Sequence, residues 1–408
     1  MRILYISQYY YPEVCAPVNR ARANAEYFAS VGHNVTVLTE MPNHPQGIVF
    51  PNYKGKIFKN ESIGNCSIAR VCVFTSKKKN FITRLLFYFS FAFTAGLYSV
   101  LNYRKYDVVY ITSPPLFVSL IGIVLKIINP KKKIIFEVRD LWPDSAIQLG
   151  ELRNKFIIKI SKKIEIYIYR YSDKIISISE HMKEAIIQKG IKDEKITVIH
   201  NGTDFNYNIS DLKEFNIDVY QKLKNKKVIL YAGNVGIAQN LDILIEAAEL
   251  LKDKHEYYFL IVGDGPRRME LEALKEKRLL DNIEFIGEIS REEIPNYLAQ
   301  ADCGIVPLRK LSLFYGALPS KMFDYMACGL PILVGINGEA KEMINKSKTG
   351  LYYEPENARD LTVKIRKLLS NNETLETYSN NAVNFVSQNF TRINLTKKLE
   401  AEIFTKDN

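Results

Sequence analysis

The segment LPSKMFDYMACGLPI, residues 318–332, places a lysine and an aspartate at the start of a short predicted helix. Ser320 is a favoured N-cap residue, and Gly329 is typical of a helix end. Lys321 then lies in the first turn, where a positive charge opposes the helix dipole unless an anion binds beside it. Helix N-termini bind phosphate, so the pattern predicts a phosphate site, with Asp324 accepting hydrogen bonds from sugar hydroxyls. A capped helix with two exposed charges is the alternative.

Four loops follow apolar runs that are typical of strands. They contain Arg309 in GIVPLR, Gly233 and Gly236 in YAGNVGIAQN, Gly263, Asp264, Gly265 and Pro266 in IVGDGPRR, and Gly338, Glu339 and Ala340 in GINGEAKEM. A single Gly-x-x-Gly loop is a weak signal. The carboxyl ends of parallel strands meet at one edge of a sheet, where ligands bind in such folds, so the four loops converge there. A nucleotide diphosphate fits that edge.

Alternating strands and helices must position these loops. Runs such as RILYIS, VTVLTE and KKIIFEV alternate with helix-length segments, and the alternation restarts with KVILYAG after a polar stretch at 206–227. This predicts an α/β fold with two facing, doubly wound Rossmann-like domains. We expect the first domain at residues 1–205, the second at 206–390, and a C-terminal helix within 391–408 that returns to the first domain.

Positive charge is concentrated in the first half of the 408-residue chain. Residues 1–200 contain 29 Lys and Arg against 15 Asp and Glu, whereas residues 201–408 contain 27 against 30. An anionic membrane surface suits such a face, and a solvated basic face is the alternative. No recognisable nucleic-acid-binding module accompanies the charge, so nucleic acid is not an expected partner. The five cysteines show no metal-binding spacing, which predicts reduced thiols and no metal.

An uncharged segment of nineteen residues, LLFYFSFAFTAGLYSVLNY at 85–103, follows the lysine cluster SKKKNFITR. A helix buried in the first domain, a helix that docks on a membrane surface, and a membrane span are all compatible with this length. A span is disfavoured because the segment lies inside a βαβ alternation. Its aromatic residues and the adjoining lysines favour docking. The N-terminal MRILYISQYYYPE is too polar for a signal peptide, so we expect a cytoplasmic protein.

The chain resembles the family 4 glycosyltransferases, whose two facing Rossmann-like domains form the GT-B architecture. The resemblance runs from GHNVTVLT and VIHNGTD through YAGN, VGDGP and FIGEIS to FDYMACGLPI and TGLYYEPEN. The strings MPNHPQG, VRDLWPDSAIQLG and LPSKMFDYMACGLP look most similar to O-antigen and capsule enzymes that transfer N-acetyl-fucosamine-type sugars. The resemblance implies a retaining sugar transfer without a metal or other cofactor, with the donor bound by the second domain and the acceptor by the first.

Carried over by position, the resemblance implies the donor site. Asp324 matches the second of two family glutamates and should hold the ribose, whereas Gly316 replaces the first. Asn234 and Gln239 replace the usual basic residues of the first glycine loop, so Lys321 and Arg309 should neutralise the diphosphate with the NH groups of 338–340. The remaining donor residues implied are Gly233, Gly236, Gly263, Asp264, Gly265, Pro266, Gly287, Ser320, Gly338, Glu339 and Ala340.

The resemblance also implies the acceptor site. Arg139 and Asp140 follow a strand where many relatives carry His-Asp, and Asp140 should orient the acceptor hydroxyl. A local ion pair between them is the alternative. The further acceptor residues are Glu13, Asn19, Arg20, His44 and Asp144.

The function expected from these features is a cytoplasmic, membrane-associated glycosyltransferase of surface polysaccharide synthesis. The donor would be a UDP-N-acetylamino sugar such as UDP-N-acetyl-L-fucosamine, and the acceptor a saccharide linked to polyprenyl diphosphate. A sugar-nucleotide epimerase or phosphorylase and a non-catalytic carbohydrate-binding scaffold are the alternatives. The oligomeric state does not follow from the sequence.

Overall fold

The computed structural model describes the chain except for residues 14, 79–80, 149, 151, 205–220, 291 and 405–408. The chain forms two compact units. The first contains the residues up to His200 and the C-terminal residues from Leu395, and the second runs from Asn201 to Asn394. The expected boundary at 205/206 lies outside the described residues.

The centre of the first unit is a sheet that has eight strands in the described part of the chain. The strands are β1 (Arg2–Ile6), β2 (Asn34–Glu40), β3 (Phe58–Ile63), β4 (Cys66–Val71), β5 (Val108–Thr112), β6 (Lys133–Val138), β7 (Lys174–Ser177) and β8 (Ile196–Val198). Their order is β3-β4-β2-β1-β5-β6-β7-β8, and only the β3–β4 pair among them is antiparallel. The parallel sheet predicted by the alternation therefore carries an unpredicted antiparallel strand at its edge.

Helices cover both faces of this sheet. They are α1 (Ala16–Ser30), α2 (Phe81–Asn102), α3 (Leu120–Ile128), α4 (Asp144–Gln148), α5 (Lys155–Tyr171) and α6 (Glu180–Gln188). Successive side chains of a strand point to opposite faces, and Leu4 and Ile6 of β1 pack in one apolar cluster while Ile3 and Tyr5 pack in another. The first unit is therefore a doubly wound α/β domain.

The second unit repeats this architecture with a wholly parallel sheet among the residues described. Its strands are β9 (Lys227–Ala232), β10 (Tyr257–Val262), β11 (Ile283–Gly287), β12 (Cys303–Pro307), β13 (Ile332–Gly335) and β14 (Gly350–Tyr352), in the order β11-β10-β9-β12-β13-β14. Its helices are α7 (Asp242–Leu250), α8 (Arg268–Lys277), α9 (Ile294–Leu298), α10 (Ser320–Ala327), α11 (Glu339–Ser347), α12 (Ala358–Leu369) and α13 (Asn372–Asn389). The loops that follow β9, β10 and β11 carry the predicted glycines.

The last helix, α14 (Arg392–Phe404), packs with the first unit from Leu395 onwards. Leu395, Leu399 and Ile403 are buried in the apolar cluster that contains Ile3 and Tyr5 of β1. The spacing of four residues places the three side chains on one face of the helix. The C-terminal helix therefore completes the core of the first unit.

Helix α2 has one buried face and one exposed apolar face. Phe91, Ala95 and Ser99 are fully buried. The exposed face, which we call the outer stripe, consists of side chains that are 44% to 74% exposed and recur at helical spacing, namely Ile82, Leu86, Phe89, Phe93, Leu97 and Leu101. Within the described residues, Ile82–Lys105 is the one helical stretch that is long and apolar enough to cross a membrane. Its buried face makes α2 a helix of the folded unit.

Candidate active site

The glycine loops of the second unit contact one another at the carboxyl ends of β9, β10 and β11. The NH of Gly233 donates to the Val262 carbonyl (2.8 Å), and the NH of Gly263 donates to the Gly287 carbonyl (2.7 Å). Gly263 has φ +133°, and an added Cβ there would lie 2.0 Å from the Gly233 carbonyl oxygen. Only glycine permits so close an approach.

The other residues of these loops complete the same surface. The NH of Val235 donates to the Asp264 carbonyl (2.9 Å), and the Asp264 carboxylate accepts from the NH of Gly265 (2.7 Å). Asn234 and Gln239 are joined by a side-chain hydrogen bond of 3.3 Å across Gly236, and Pro266 is exposed. The structure thus brings the predicted glycine loops together.

Lys321 points at the first of these loops. Its Nζ lies 3.6 Å from the centre of the Tyr231 ring, and a Cβ at Gly233 would lie 2.7 Å from that Nζ. Burial lowers the pKa of the Lys321 ammonium to about 7, although the nearby Asp324 raises it. A cation on an aromatic face is attracted by the ring, and the hydroxyl of Tyr231 is held by the Asn234 carbonyl (2.6 Å).

Helix α10 begins at Ser320, and Pro319 with extended backbone occupies the N-cap position, with no side-chain capping hydrogen bond. The prediction that Ser320 is the N-cap is therefore wrong. The reason is local, because proline has no NH and stands comfortably at the end of an extended segment, which lets the helix start one residue earlier, at Ser320 itself. Lys321 still lies in the first turn.

Asp324 is held by Thr203, for which the sequence motifs predict no role. The hydroxyl of Thr203 donates to Oδ1 of Asp324 (2.6 Å), and Thr203 is itself anchored by a backbone hydrogen bond from its NH to the Phe390 carbonyl (3.0 Å). Thr203 is buried, and it belongs to the motif VIHNGTD. The motif VIHNGTD is the sequence feature that includes Thr203, but its composition does not indicate a contact with Asp324.

Arg309 donates two hydrogen bonds to the glycine loop that follows β9. Its Nε donates to the Ile237 carbonyl (2.9 Å), and its backbone NH donates to the Ala238 carbonyl (3.0 Å). The guanidinium group is partly buried, and it holds the loop whose first glycine faces Lys321. Two basic side chains, Lys321 and Arg309, therefore contact the same loop.

The start of α11 differs from the prediction. The NH of Glu339 donates to the Tyr315 carbonyl (2.8 Å), so it is not available to a diphosphate in this conformation. Gly338 has φ +78° and precedes the helix, and Ala340 is buried. The prediction that the three NH groups of 338–340 neutralise a diphosphate is therefore wrong for Glu339, because a loop carbonyl occupies that donor.

In the first unit, Asp140 lines a cavity of about 220 Å³ together with Trp142 and Ser145. The Ser145 hydroxyl donates to Oδ2 of Asp140 (2.9 Å). Burial lowers the pKa of the Arg139 guanidinium, against the raising effect of Glu137. No ion pair joins the described residues Arg139 and Asp140, so the alternative of a local pair between them is wrong.

The remaining predicted acceptor residues are buried or partly buried. Arg20 is 6% exposed, and its guanidinium donates to the Glu137 carboxylate (2.7 Å) and to the carbonyls of Ile199 and His200 (2.9 and 2.6 Å). Because the core of the unit uses these donors, the expectation that Arg20 faces an acceptor is wrong. Asn19 is partly buried on α1, next to Arg20.

Glu13 and Asp144 have local roles. The buried Glu13 carboxylate accepts from the backbone NH groups of Asn43 and His44 (2.8 Å each), and burial raises its pKa. It thereby fixes the loop that carries His44. Asp144 opens α4 and pairs with Lys189 (2.6 Å). In the part of the chain that the structure describes, no group of three or more His, Cys, Asp or Glu side chains is arranged to hold a metal ion.

Comparison with known proteins gives a glycosyltransferase model in each half of the chain. Residues 18–207 match the model Glycosyltransferase Family 4, and residues 213–385 match the model Glycosyl transferases group 1. The glycosyl transferase WcaI of Escherichia coli, named for colanic acid biosynthesis, is 28% identical over 338 residues, which cover 81% of this chain and 82% of WcaI. TuaH of Bacillus subtilis, named for teichuronic acid biosynthesis, is 25% identical and covers 60% of each chain.

The solved structures agree on the fold. Alr3699/HepE of Anabaena in complex with UDP superimposes with a TM-score of 0.69 at 16% identity, covering 98% of each chain. WaaG, a glycosyltransferase involved in lipopolysaccharide biosynthesis, gives a TM-score of 0.66 at 16% identity and covers 99% of this chain and all of its own. The two family models together match most of the sequence, one in each unit, and the chain is a family 4 glycosyltransferase with the GT-B fold.

Proposed function

We propose that this glycosyltransferase moves an N-acetylamino sugar, such as N-acetyl-L-fucosamine, from a UDP-sugar to a saccharide linked to polyprenyl diphosphate. The observation that carries the proposal is the Lys321 ammonium group, held between the Tyr231 ring and Gly233 beside Asp324. A partly desolvated cation at a cradle of glycine loops suits the diphosphate of a nucleotide sugar. The complexes of HepE with UDP and with UDP-glucose support this donor class.

In this proposal the second unit binds the donor. Lys321 and Arg309 neutralise the diphosphate, and Asp324, oriented by Thr203, accepts hydrogen bonds from the ribose hydroxyls. The loop residues surround the donor, namely Gly233, Asn234, Gly236, Gly263, Asp264, Gly265, Pro266, Gly287, Ser320, Gly338 and Ala340. Glu339 contributes through its side chain, because Tyr315 takes its NH.

The transfer breaks the bond between the anomeric carbon and the β-phosphate oxygen, and the bonding electrons stay with that oxygen. The acceptor hydroxyl forms the new glycosidic bond on the same face of the sugar, and its proton goes to the departing phosphate. Asp140 orients that hydroxyl, while Lys321 and Arg309 stabilise the negative charge that develops on the diphosphate. Preorganised charge of this kind commonly contributes about 3 kcal/mol to transition-state stabilisation. The proposal includes no metal or other cofactor.

A membrane-facing role for the first unit follows from its apolar and basic surface. Helix α3 contacts both α2 and α5. Helix α5 exposes Phe156, Ile157 and Ile160 among its lysines at 155, 159, 162 and 163. Apolar side chains that insert at the headgroup level, with lysines beside them, are typical of interfacial helices. We therefore propose that the protein docks on the cytoplasmic face of the cell membrane, where a lipid-linked acceptor resides.

We propose the class of biosynthetic pathway from the names of the similar proteins. WcaI and TuaH are named for the biosynthesis of colanic acid and teichuronic acid, and WbjE of Pseudomonas aeruginosa is named a glycosyltransferase. Surface polysaccharide synthesis, as for an O-antigen or capsule, is the corresponding role for this chain.

The proposal is tested by a transfer assay with a panel of UDP-sugars and a synthetic prenyl-diphosphate-linked N-acetylglucosamine acceptor. We expect release of UDP, a product with the anomeric configuration of the donor by NMR, and an unchanged rate in excess EDTA. An inverted product, or loss of the rate in EDTA, contradicts the mechanism. Conversion of the donor to another UDP-sugar indicates an epimerase, and binding of UDP-sugars without turnover indicates a carbohydrate-binding scaffold.

A further inference from the structure

A cavity of about 440 Å³ lies at the N-terminal end of α2 in the first unit. Its wall includes His44 from the loop after β2, Lys78 from the segment before α2, and Arg84 from the first turns of α2. We call it the basic cavity. None of its described lining residues carries a carboxylate, and Tyr9, Asn43 and Tyr88 supply further polar groups. Its volume is within the range of small-ligand sites, and its chemistry suits an anion.

Buried carboxylates hold the loop that forms one wall of the basic cavity. Glu13 accepts the backbone NH groups of Asn43 and His44, and the Asn43 side chain donates to the buried Glu40 carboxylate (2.7 Å). The ring of Tyr9 lies edge-on to the imidazole of His44, with 5.4 Å between their centres. The loop that carries Asn43 and His44 is therefore held by buried carboxylates, which preorganises this part of the wall.

A second cavity adjoins the first. It is the cavity of about 220 Å³ that Asp140 lines, and Arg84 and Tyr88 line both. Phe117 and Trp142 form its aromatic wall, with their ring centres 5.4 Å apart. We call it the aromatic cavity. Aromatic faces with the Asp140 carboxylate and the hydroxyls of Ser145 and Tyr88 suit a sugar ring, which presents apolar CH groups and hydroxyls together.

The outer stripe of α2 begins beside these two cavities. The outer stripe of α2 starts at Ile82, two residues before Arg84, and continues along the exposed face to Leu101. Arg84 and Tyr88 line both cavities, and the ring of Phe89 in the outer stripe lies 4.2 Å from that of Phe117 in the aromatic cavity, so the two cavities and the apolar helix face meet at the first turns of α2. One class of molecule combines these three chemistries: a sugar, a diphosphate and an isoprenoid chain.

We propose that the basic cavity binds the diphosphate of a polyprenyl-diphosphate-linked saccharide, with its first sugar in the aromatic cavity and its lipid along the outer stripe. The inference rests on the proposed function and names the part of the chain that recognises its acceptor. Lys78 and Arg84 supply the charge, and His44 is a further hydrogen-bonding group. Arg84 adjoins both cavities, and the acceptor sugar reaches Asp140 in the second. A nucleotide or inorganic phosphate would leave the outer stripe unused.

The test measures binding of farnesyl diphosphate to the full chain by calorimetry, with inorganic diphosphate and farnesol as separate arms. We expect farnesyl diphosphate to bind at least about tenfold more tightly than either fragment. Lys78→Gln and Arg84→Gln should each weaken its binding about tenfold, because each removes a charged hydrogen-bond donor. Neither should alter farnesol binding. Arg104→Gln, an exposed arginine just beyond the other end of α2, is the matched control and should stay within about twofold.

The single tryptophan of the chain provides a second readout. Trp142 lines the aromatic cavity, so its fluorescence reports on that cavity alone. A farnesyl-diphosphate-linked N-acetylglucosamine should change the emission more than farnesyl diphosphate does, and Arg84→Gln should shift the midpoint of that change. Equal responses to the two ligands would overturn the assignment of the aromatic cavity. Unchanged farnesyl diphosphate binding in both the Lys78 and Arg84 variants would overturn the assignment of the basic cavity.

The outcome separates this inference from the proposed function. Both variants should retain the thermal stabilisation by UDP, because neither residue belongs to the donor site. If sugar transfer to the lipid acceptor proceeds with an unchanged KM in both variants, the cavity assignment is wrong while the transferase activity stands. If farnesyl diphosphate binds as described but no UDP-sugar supports transfer, the proposed function is wrong while the cavity assignment stands.

Discussion

The Nζ atom of Lys321 lies 3.6 Å from the centre of the Tyr231 ring, at the mouth of the first glycine loop of the second unit. Burial holds the pKa of this ammonium near 7, so its charge changes within the physiological range. A diphosphate that binds beside it stabilises the protonated form. The strength of donor binding should therefore depend on pH.

We expect the affinity for UDP-N-acetylglucosamine to fall as pH rises above about 7, by up to about tenfold per pH unit, because binding then requires uptake of a proton. Lys321→Arg keeps its charge and should flatten this dependence between pH 7 and 9. Lys321→Met should weaken binding about 10- to 100-fold at pH 7. Calorimetry checks each value.

Lys227→Met is the control, since Lys227 also faces an aromatic ring, Tyr257, but stands at the start of β9. A flat profile in the parent protein contradicts a role for the Lys321 charge.

The same pKa predicts the stability of the protein without ligand. The ordinary pKa of lysine, 10.5, is lowered to about 7 by burial, so between these values the unfolded chain binds more protons than the folded chain. Stability from this residue should therefore increase as pH rises from about 7 to 10.5. Relative to the parent, Lys321→Met should be more stable at pH 6 to 7, and the difference should shrink toward pH 10. Urea denaturation at several pH values measures it, and a constant difference would contradict the buried charge.

The hydrogen bond from Thr203 to Asp324 should stabilise the second unit and orient the carboxylate. Thr203→Val keeps the shape and removes the donor, which should cost about 1.5–3 kcal/mol of unfolding free energy and weaken UDP binding. Thr362→Val is the matched control, because Thr362 is similarly buried and donates to the Arg359 carbonyl (2.8 Å) away from the glycine loops. We expect the control to lose some stability and to keep its UDP affinity. Equal loss of UDP affinity in both variants would show that Thr203 acts only through stability.

The glycine at 263 should tolerate no side chain. Gly263→Ala puts a Cβ 2.0 Å from the Gly233 carbonyl oxygen and forces an unfavourable φ of +133°. The loops must separate, at a cost of roughly 1–3 kcal/mol, and UDP binding should weaken with them. Gly190→Ala, also at positive φ (+85°) but with open space around it, is the control for the backbone effect alone. Thermal shift with and without UDP separates the two, and equal destabilisation of both variants contradicts the close approach.

The sequence predicts the regular parts of this fold because their signals are local. Helix α5 runs from Lys155 to Tyr171, as its apolar spacing indicates, and the strands of the second unit are continuous apolar runs. β3 is missed because FKNESI alternates polar residues at an exposed edge, where no buried face imposes an apolar pattern. The helix start at Ser320 is missed because a proline before a serine leaves both cap positions plausible.

The sequence predicts the parts of the site that follow from the order of the strands and their loops. The glycine loops follow their strands, so their meeting at one sheet edge follows from topology. The hydrogen bond between Thr203 and Asp324 joins residues 121 positions apart, and the contact of the Tyr315 carbonyl with the NH of Glu339 closes a loop of irregular structure. The pair of Arg20 and Glu137 is likewise long-range. No local pattern encodes such contacts, and the assignment of Arg20 to the acceptor fails for this reason.

The outer stripe of α2 should attach the first unit to membranes. Leu86→Ser with Phe93→Ser removes two exposed apolar side chains, each worth about 1.5–3 kcal/mol when buried in an apolar environment, so binding to vesicles should fall at least about tenfold. Sedimentation with vesicles containing anionic lipid measures the change.

The control is Met269→Ser with Val363→Ser, two exposed apolar residues of the second unit. Because neither altered α2 residue faces the core, the double variant should keep its melting temperature and its UDP affinity. Transfer to a lipid-linked acceptor in vesicles should then fall while donor binding persists. Equal vesicle binding by the parent and the double variant would contradict docking through this face, and the lysines of α5 would then have to act alone.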